Sequence, residues 1–157
     1  MTERSRAWLV LQTSELGLAV PAEGVSEIWR GGVCVPLPAV PDYVIGLANW
    51  SGKPLPILDL SAALGLRNVA DGGHEQRHRV ASGESRVVVV RTGGFMVGML
   101  ADRVVGLHVE PMNEGRERVL NVGRVGEFAV TELDTSVGVA AALDLSRLLA
   151  ATRVGAQ

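Results

Sequence analysis

The segment His74-Glu75-Gln76-Arg77-His78 spells H-E-x-x-H, a spacing that can do chemistry. On a helix, both imidazoles share one face and can hold Zn²⁺, while the glutamate polarises the metal-bound water. Such a helix must be buried along its back and needs a third protein ligand. Here Gly72-Gly73 precede the motif and Ala81-Ser82-Gly83 follow it, with no apolar stripe between. Residues 67–85 therefore read as a polar, solvated loop, and a zinc-dependent hydrolase stays a subordinate reading. No G-x-S-x-G elbow, phosphate-binding glycine loop or dinucleotide-binding turn is present. The single cysteine, Cys34, lies in Gly31-Gly32-Val33-Cys34-Val35-Pro36 and reads as a small apolar residue. His108, between Leu107 and Val109, reads as the outward-facing member of a strand. Asp59 and Asp144 make a possible carboxylate pair, but each sits in Leu-Asp-Leu-Ser, a context suited to capping a helix. No catalytic set and no cofactor site emerges.

The elements that would position these residues are β-strands. The chain has 157 residues, 47% apolar, with 24 Val and with 19 Gly and 7 Pro scattered between short apolar runs. That composition suits a sandwich or barrel. Strands are expected at Trp8–Thr13, Leu16–Val20, Val25–Trp29, Pro54–Leu58, Arg86–Arg91, Phe95–Leu100, Val104–Val109, Phe128–Leu133 and Val137–Leu143. Thr92-Gly93-Gly94 suits a hairpin turn. Short helical turns are expected at Pro21–Gly24, Pro41–Ile45, Ser61–Leu64 and Ser146–Ala151.

An internal echo organises the chain. Leu58-Asp59-Leu60-Ser61 returns as Leu143-Asp144-Leu145-Ser146, and Leu11-Gln12-Thr13…Gly17-Leu18-Ala19-Val20 is echoed by Val90-Arg91-Thr92…Gly98-Met99-Leu100. Two copies of one β unit, near 7–66 and 86–150, would pack together and leave a groove between them. Trp29, Trp50 and Tyr43 fall in or beside Gly/Pro-rich connections, where they either seal barrel ends or meet a partner. The net charge is −2, and each half of the chain carries −1. An SH3-like nucleic-acid module would need a basic excess, and so would an electrostatic membrane anchor. Neither a signal-like N-terminus nor an apolar run long enough to span a bilayer is seen, so the expectation is a cytoplasmic protein.

Residues 46–60, Gly-Leu-Ala-Asn-Trp-Ser-Gly-Lys-Pro-Leu-Pro-Ile-Leu-Asp-Leu, resemble the G-h-x-N-h-R-G-x-h-h-P-h-h-D-L core of CheW-like domains, where h is apolar. Val25-Ser26-Glu27-Ile28 is similar to the family's V-x-E-I stretch. Val97–Val104 resembles its second-half h-G-h-h-h-D-x-V, and Ala142–Leu149 its closing strand and helix. The resemblance implies an all-β fold: two five-stranded SH3-like β-barrels related by a pseudo-twofold, with short helices including a C-terminal one. It implies one domain over 7–150, with subdomains at about 20–85 and 86–140 and exchange of the terminal segments left open. It further implies a non-enzymatic adaptor without cofactors. Its partners would be chemoreceptor cytoplasmic signalling tips, the regulatory domain of a CheA-type histidine kinase, and other CheW-like proteins. Val25, Glu27 and Ile28 fall in the family's interaction-sensitive stretch. Val35, Pro36, Leu37 and Ile45 would lie near the kinase-facing edge, and Asn49, Ser51 and Gly52 belong to the shared N-h-R-G motif. Ser51 stands where the family carries arginine, so Glu27 is expected to lose a guanidinium partner and kinase coupling to be altered, as in a divergent paralogue.

Overall fold

The computed structural model describes residues 4–69, 71–111 and 122–152. Eleven strands lie among them: β1 (Ser5–Thr13), β2 (Leu16–Pro21), β3 (Val25–Trp29), β4 (Cys34–Val35), β5 (Val44–Trp50), β6 (Lys53–Asp59), β7 (Arg86–Thr92), β8 (Phe95–Ala101), β9 (Arg103–Pro111), β10 (Ala129–Thr135) and β11 (Gly138–Leu143). Four short helices accompany them: α1 (Leu60–Ala63), α2 (His74–Ser82), α3 (Val125–Phe128) and α4 (Leu145–Thr152). A 3-10 turn at Ala22–Gly24 leads from β2 into β3.

The strands form two sheets, in the orders β10-β11-β2-β1-β9 and β3-β7-β8-β6-β5-β4. All pairings are antiparallel except β11 with β2 and β6 with β8. These two parallel pairings occupy matching places in the echoed halves. In each, the strand that ends in Leu-Asp-Leu-Ser joins the hairpin that opens the other half. Each sheet thus draws strands from both halves of the sequence. The second sheet has a sixth member because the two-residue β4 pairs with β5.

Side-chain alternation explains the apolar runs. In β7, Val88 and Val90 point into the core shared by the sheets, whereas Val87 and Val89 fill the interior of the second sheet. In β1, Leu9 and Leu11 join the shared core, and Trp8 and Val10 fill the interior of the first sheet with Ala19, Leu133, Ala140 and Ala142. Strands buried on both faces read as unbroken apolar sequence, as Val87–Val90 does. The second sheet curls until its β3 edge meets the tip of the β5–β6 hairpin, where the Trp50 indole N–H donates to Glu27 at 3.1 Å.

Two expectations need correction. Residues 74–82 form α2, because its back does bury something: Val80 enters the second interior, with Gln76 beside it. Pro41–Ile45 makes a turn closed by Val44 N–H donating to Pro41 O at 2.9 Å, and β5 starts at once. Trp29 ends β3 as expected, Trp50 ends β5, and both pack against the second interior.

Candidate functional site

Val25 and Ile28 lie on β3, an edge strand, opposite Val90 and Val88 of β7. Their β7 partners belong to the shared core, so this face of β3 continues the core to its border, where Ile28 is 43% exposed. The first sheet repeats the arrangement at β9, also an edge strand. Leu107 lies opposite Leu9 of the shared core, yet is 70% exposed, and Val109 is 62% exposed. Sequence alternation points His108 outward and does not single out Leu107 and Val109. A bulge opposite Val10/Leu11 shifts the register, so the apolar pair faces solvent while His108 is half-buried, 3.4 Å from Glu110. The signal was there: apolar residues alternate with His108 and Glu110 up to Pro111.

Glu27, exposed on β3, is not left without a partner by Ser51: it accepts the Trp50 indole N–H. Ser51 and Gly52 are the two central residues of the β5–β6 hairpin, with φ of +51° and +82°. Positive φ at both places marks a type I′ turn, matched to strand twist. Asn49 accepts the Gly52 N–H at 2.8 Å, which fixes the turn from within.

On the opposite edge, Val33 (77% exposed) and Val35 (50%) join Leu47, Ala48, Asn49 and Pro54 around an apolar concavity of about 370 Å³. Pro36 and Leu37 border a smaller hollow of about 100 Å³. Ile45 lines the same hollow but is 1% exposed and belongs to the second interior, so it reaches a partner less than its neighbours do. The sequence-expected residues therefore fall on two places, the β3 edge and the β4–β6 edge; Trp50 and the Asn49–Gly52 turn join them.

The titratable groups perform structural work. Asp59 accepts the Ala62 N–H at 3.3 Å and Asp144 the Arg147 N–H at 3.1 Å, each capping the helix that follows. Asp59 is buried and pairs with Arg67 at 3.1 Å. Asp71 is held below the usual carboxylate range, chiefly by the Glu75 N–H and also by the Gly73 N–H. Burial pushes the Cys34 thiol up to about 11, against the opposing charge of Arg77. His74 and His78 are exposed on α2, and among the described residues no three His, Cys, Asp or Glu groups are placed to hold a metal ion. What the surface offers is apolar area on edge strands, suited to holding other proteins.

Comparison with known proteins agrees on the fold. Residues 7–153 match the CheW-like domain. Protein FrzA of Myxococcus xanthus is 36% identical over 101 residues, 64% of this chain and 57% of that protein. Chemotaxis protein CheW of Rhizobium meliloti is 29% identical over 104 residues, 66% of this chain and 61% of that protein. The matched stretch thus spans about three-fifths of the length of these curated relatives. The scaffolding protein TtCheW from Thermoanaerobacter tengcongensis superposes with a TM-score of 0.70 over 93% of both chains at 20% identity. The two sheets are accordingly the two SH3-like barrels of that fold.

Proposed function

Because the chain belongs to the CheW-like domain family, we propose that it is a non-enzymatic scaffold of a bacterial chemosensory system. It links the helical signalling tips of chemoreceptors to the regulatory domain of a CheA-type histidine kinase and packs against other CheW-like proteins, inside the cytoplasm. The observation that supports this best is the pair of apolar borders of the shared core, Val25 and Ile28 on β3 and Leu107 and Val109 on β9. An amphipathic receptor helix buries its apolar face against such borders, each anchoring side chain contributing about 1.5–3 kcal/mol on full burial. The β4–β6 concavity, with Val35 at its rim, offers a second apolar surface for the kinase domain. Pro36 and Leu37 flank it, and Asn49, Ser51 and Gly52 shape its turn. Among the described residues, no helix is long and apolar enough to cross a membrane.

Pull-down of a receptor signalling tip and of the kinase regulatory domain tests the reading. Binding of both at tens of micromolar is expected. Retention of neither would overturn it. Val25→Arg and Ile28→Asp should weaken binding while circular dichroism stays native.

A further inference from the structure

Helix α2 is lightly attached. Nine residues are too few for a helix that stands alone in water, and glycines with positive φ flank it on both sides. It buries Val80 and Gln76, and the Gln76 Oε1 has no hydrogen-bond partner in the described structure. At its N-terminal end, Arg77 donates to Ile45 O at 3.0 Å and Gly72 O at 2.7 Å. At its C-terminal end, Arg79 lies 3.6 Å from Asp102. Asp102 sits between β8 and β9, where the chain crosses from the second sheet to the first. The same carboxylate lies 3.7 Å from Arg67 and accepts the Ser14 N–H at 2.9 Å from the β1–β2 turn. One acidic side chain thus gathers α2, the segment after α1 and the first sheet.

We propose that α2 is a lid over the β4–β5 side of the second barrel and that Asp102, with Arg67 and Arg79, is its latch. Lifting α2 withdraws Val80 from the interior and uncovers Ile45 and Cys34 beside the Val33–Pro54 concavity. An apolar segment arriving at this edge favours the lifted state, because only that state presents Ile45. The latch groups are about one-third exposed, so salt screens them and shifts the balance towards lifting.

Native-state hydrogen exchange of the whole chain, read by mass spectrometry, tests the lid. Amides of residues 74–82 should exchange before those of β7 and β8. In Arg79→Gln and Asp102→Asn, their exchange should speed up about three- to fivefold with β7 and β8 unchanged, as expected for losing a partly exposed ion pair. Asparagine at 102 still accepts the Ser14 N–H, which isolates the charge. Raising salt from about 0.02 M to about 0.5 M should have the same effect on the native chain and little on either variant. Labelling of Cys34 by a neutral thiol reagent should rise in parallel. Exchange of α2 only together with β7 and β8 would overturn the lid. Exchange in the variants within twofold of the native chain, or equal acceleration in β7 and β8, would overturn the latch.

Discussion

The buried carboxylate Asp59 depends on Arg67, and replacing that arginine by methionine measures how much. Asp59 is fully buried, and its Oδ2 has no hydrogen-bond partner in the described structure. The Arg67 Nη2 at 3.1 Å supplies the opposing charge, with Arg67 27% exposed. Removing one partner of a fully buried pair costs about 3–5 kcal/mol, because the remaining charge is uncompensated. Water reaches Arg67, and Ala62 N–H still serves Asp59 Oδ1, so the low end applies, about 3 kcal/mol. For a chain of this length that lowers Tm by roughly 6–12 °C. The echoed position is the internal control. Asp144 caps α4, and its replacement by alanine should cost only about 1 kcal/mol. Urea unfolding gives both numbers, provided the m-values agree. The double variant Asp59→Asn, Arg67→Met should recover more than about 1.5 kcal/mol of the single-variant loss, since no buried charge is then unpaired. A cost for Arg67→Met at or below about 1 kcal/mol would instead place the pair in effectively solvated surroundings.

Other consequences follow from single side chains. Trp8 is the largest group in the alanine-rich interior of the first barrel, so Trp8→Ala should cost about 3–5 kcal/mol by chemical denaturation. Ser51→Asn places a residue that tolerates positive φ in the type I′ turn and should raise stability by about 0.5 kcal/mol, read as a higher urea midpoint. The Cys34 thiol ionises at about 11 in the native chain against 9.0 for an unperturbed thiol. Its contribution is therefore fully present below pH 9 and falls as the unfolded chain deprotonates first, levelling off above about 11. Cys34→Ala should remove that part of the alkaline loss in a pH series of unfolding midpoints.

Strands with both faces buried were legible because nothing polar interrupts them. β1, β2, β7, β8 and β11 lie within a residue or three of their expected bounds, and β3 matches at Val25–Trp29. β5 was hidden: Gly46 interrupts its pattern, a requirement of the neighbouring strand, since a Cβ there would sit 2.3 Å from Val35 O. α2 was hidden because helical periodicity needs more than Gln76 and Val80 to register, and both flanks are glycine. At the candidate site, the β3 residues could be read from their motif. Ile45 could not be told from an edge residue, because its burial depends on packing in the second interior with α2 above it. The alternation of Leu107 and Val109 with His108 and Glu110 was legible, but which of the two sets met solvent depended on the bulge between β1 and β9.

As proposed above, a receptor helix lies on the apolar borders of the core between the barrels. Calorimetric titration of a receptor signalling-tip fragment into the native chain, Ile28→Asp and Leu107→Asp measures it most directly. Both positions are exposed on edge strands, so both variants should unfold at the native midpoint yet bind at least tenfold more weakly, a loss of about 1.4 kcal/mol each. Native affinity in both variants would mean that the receptor helix binds elsewhere.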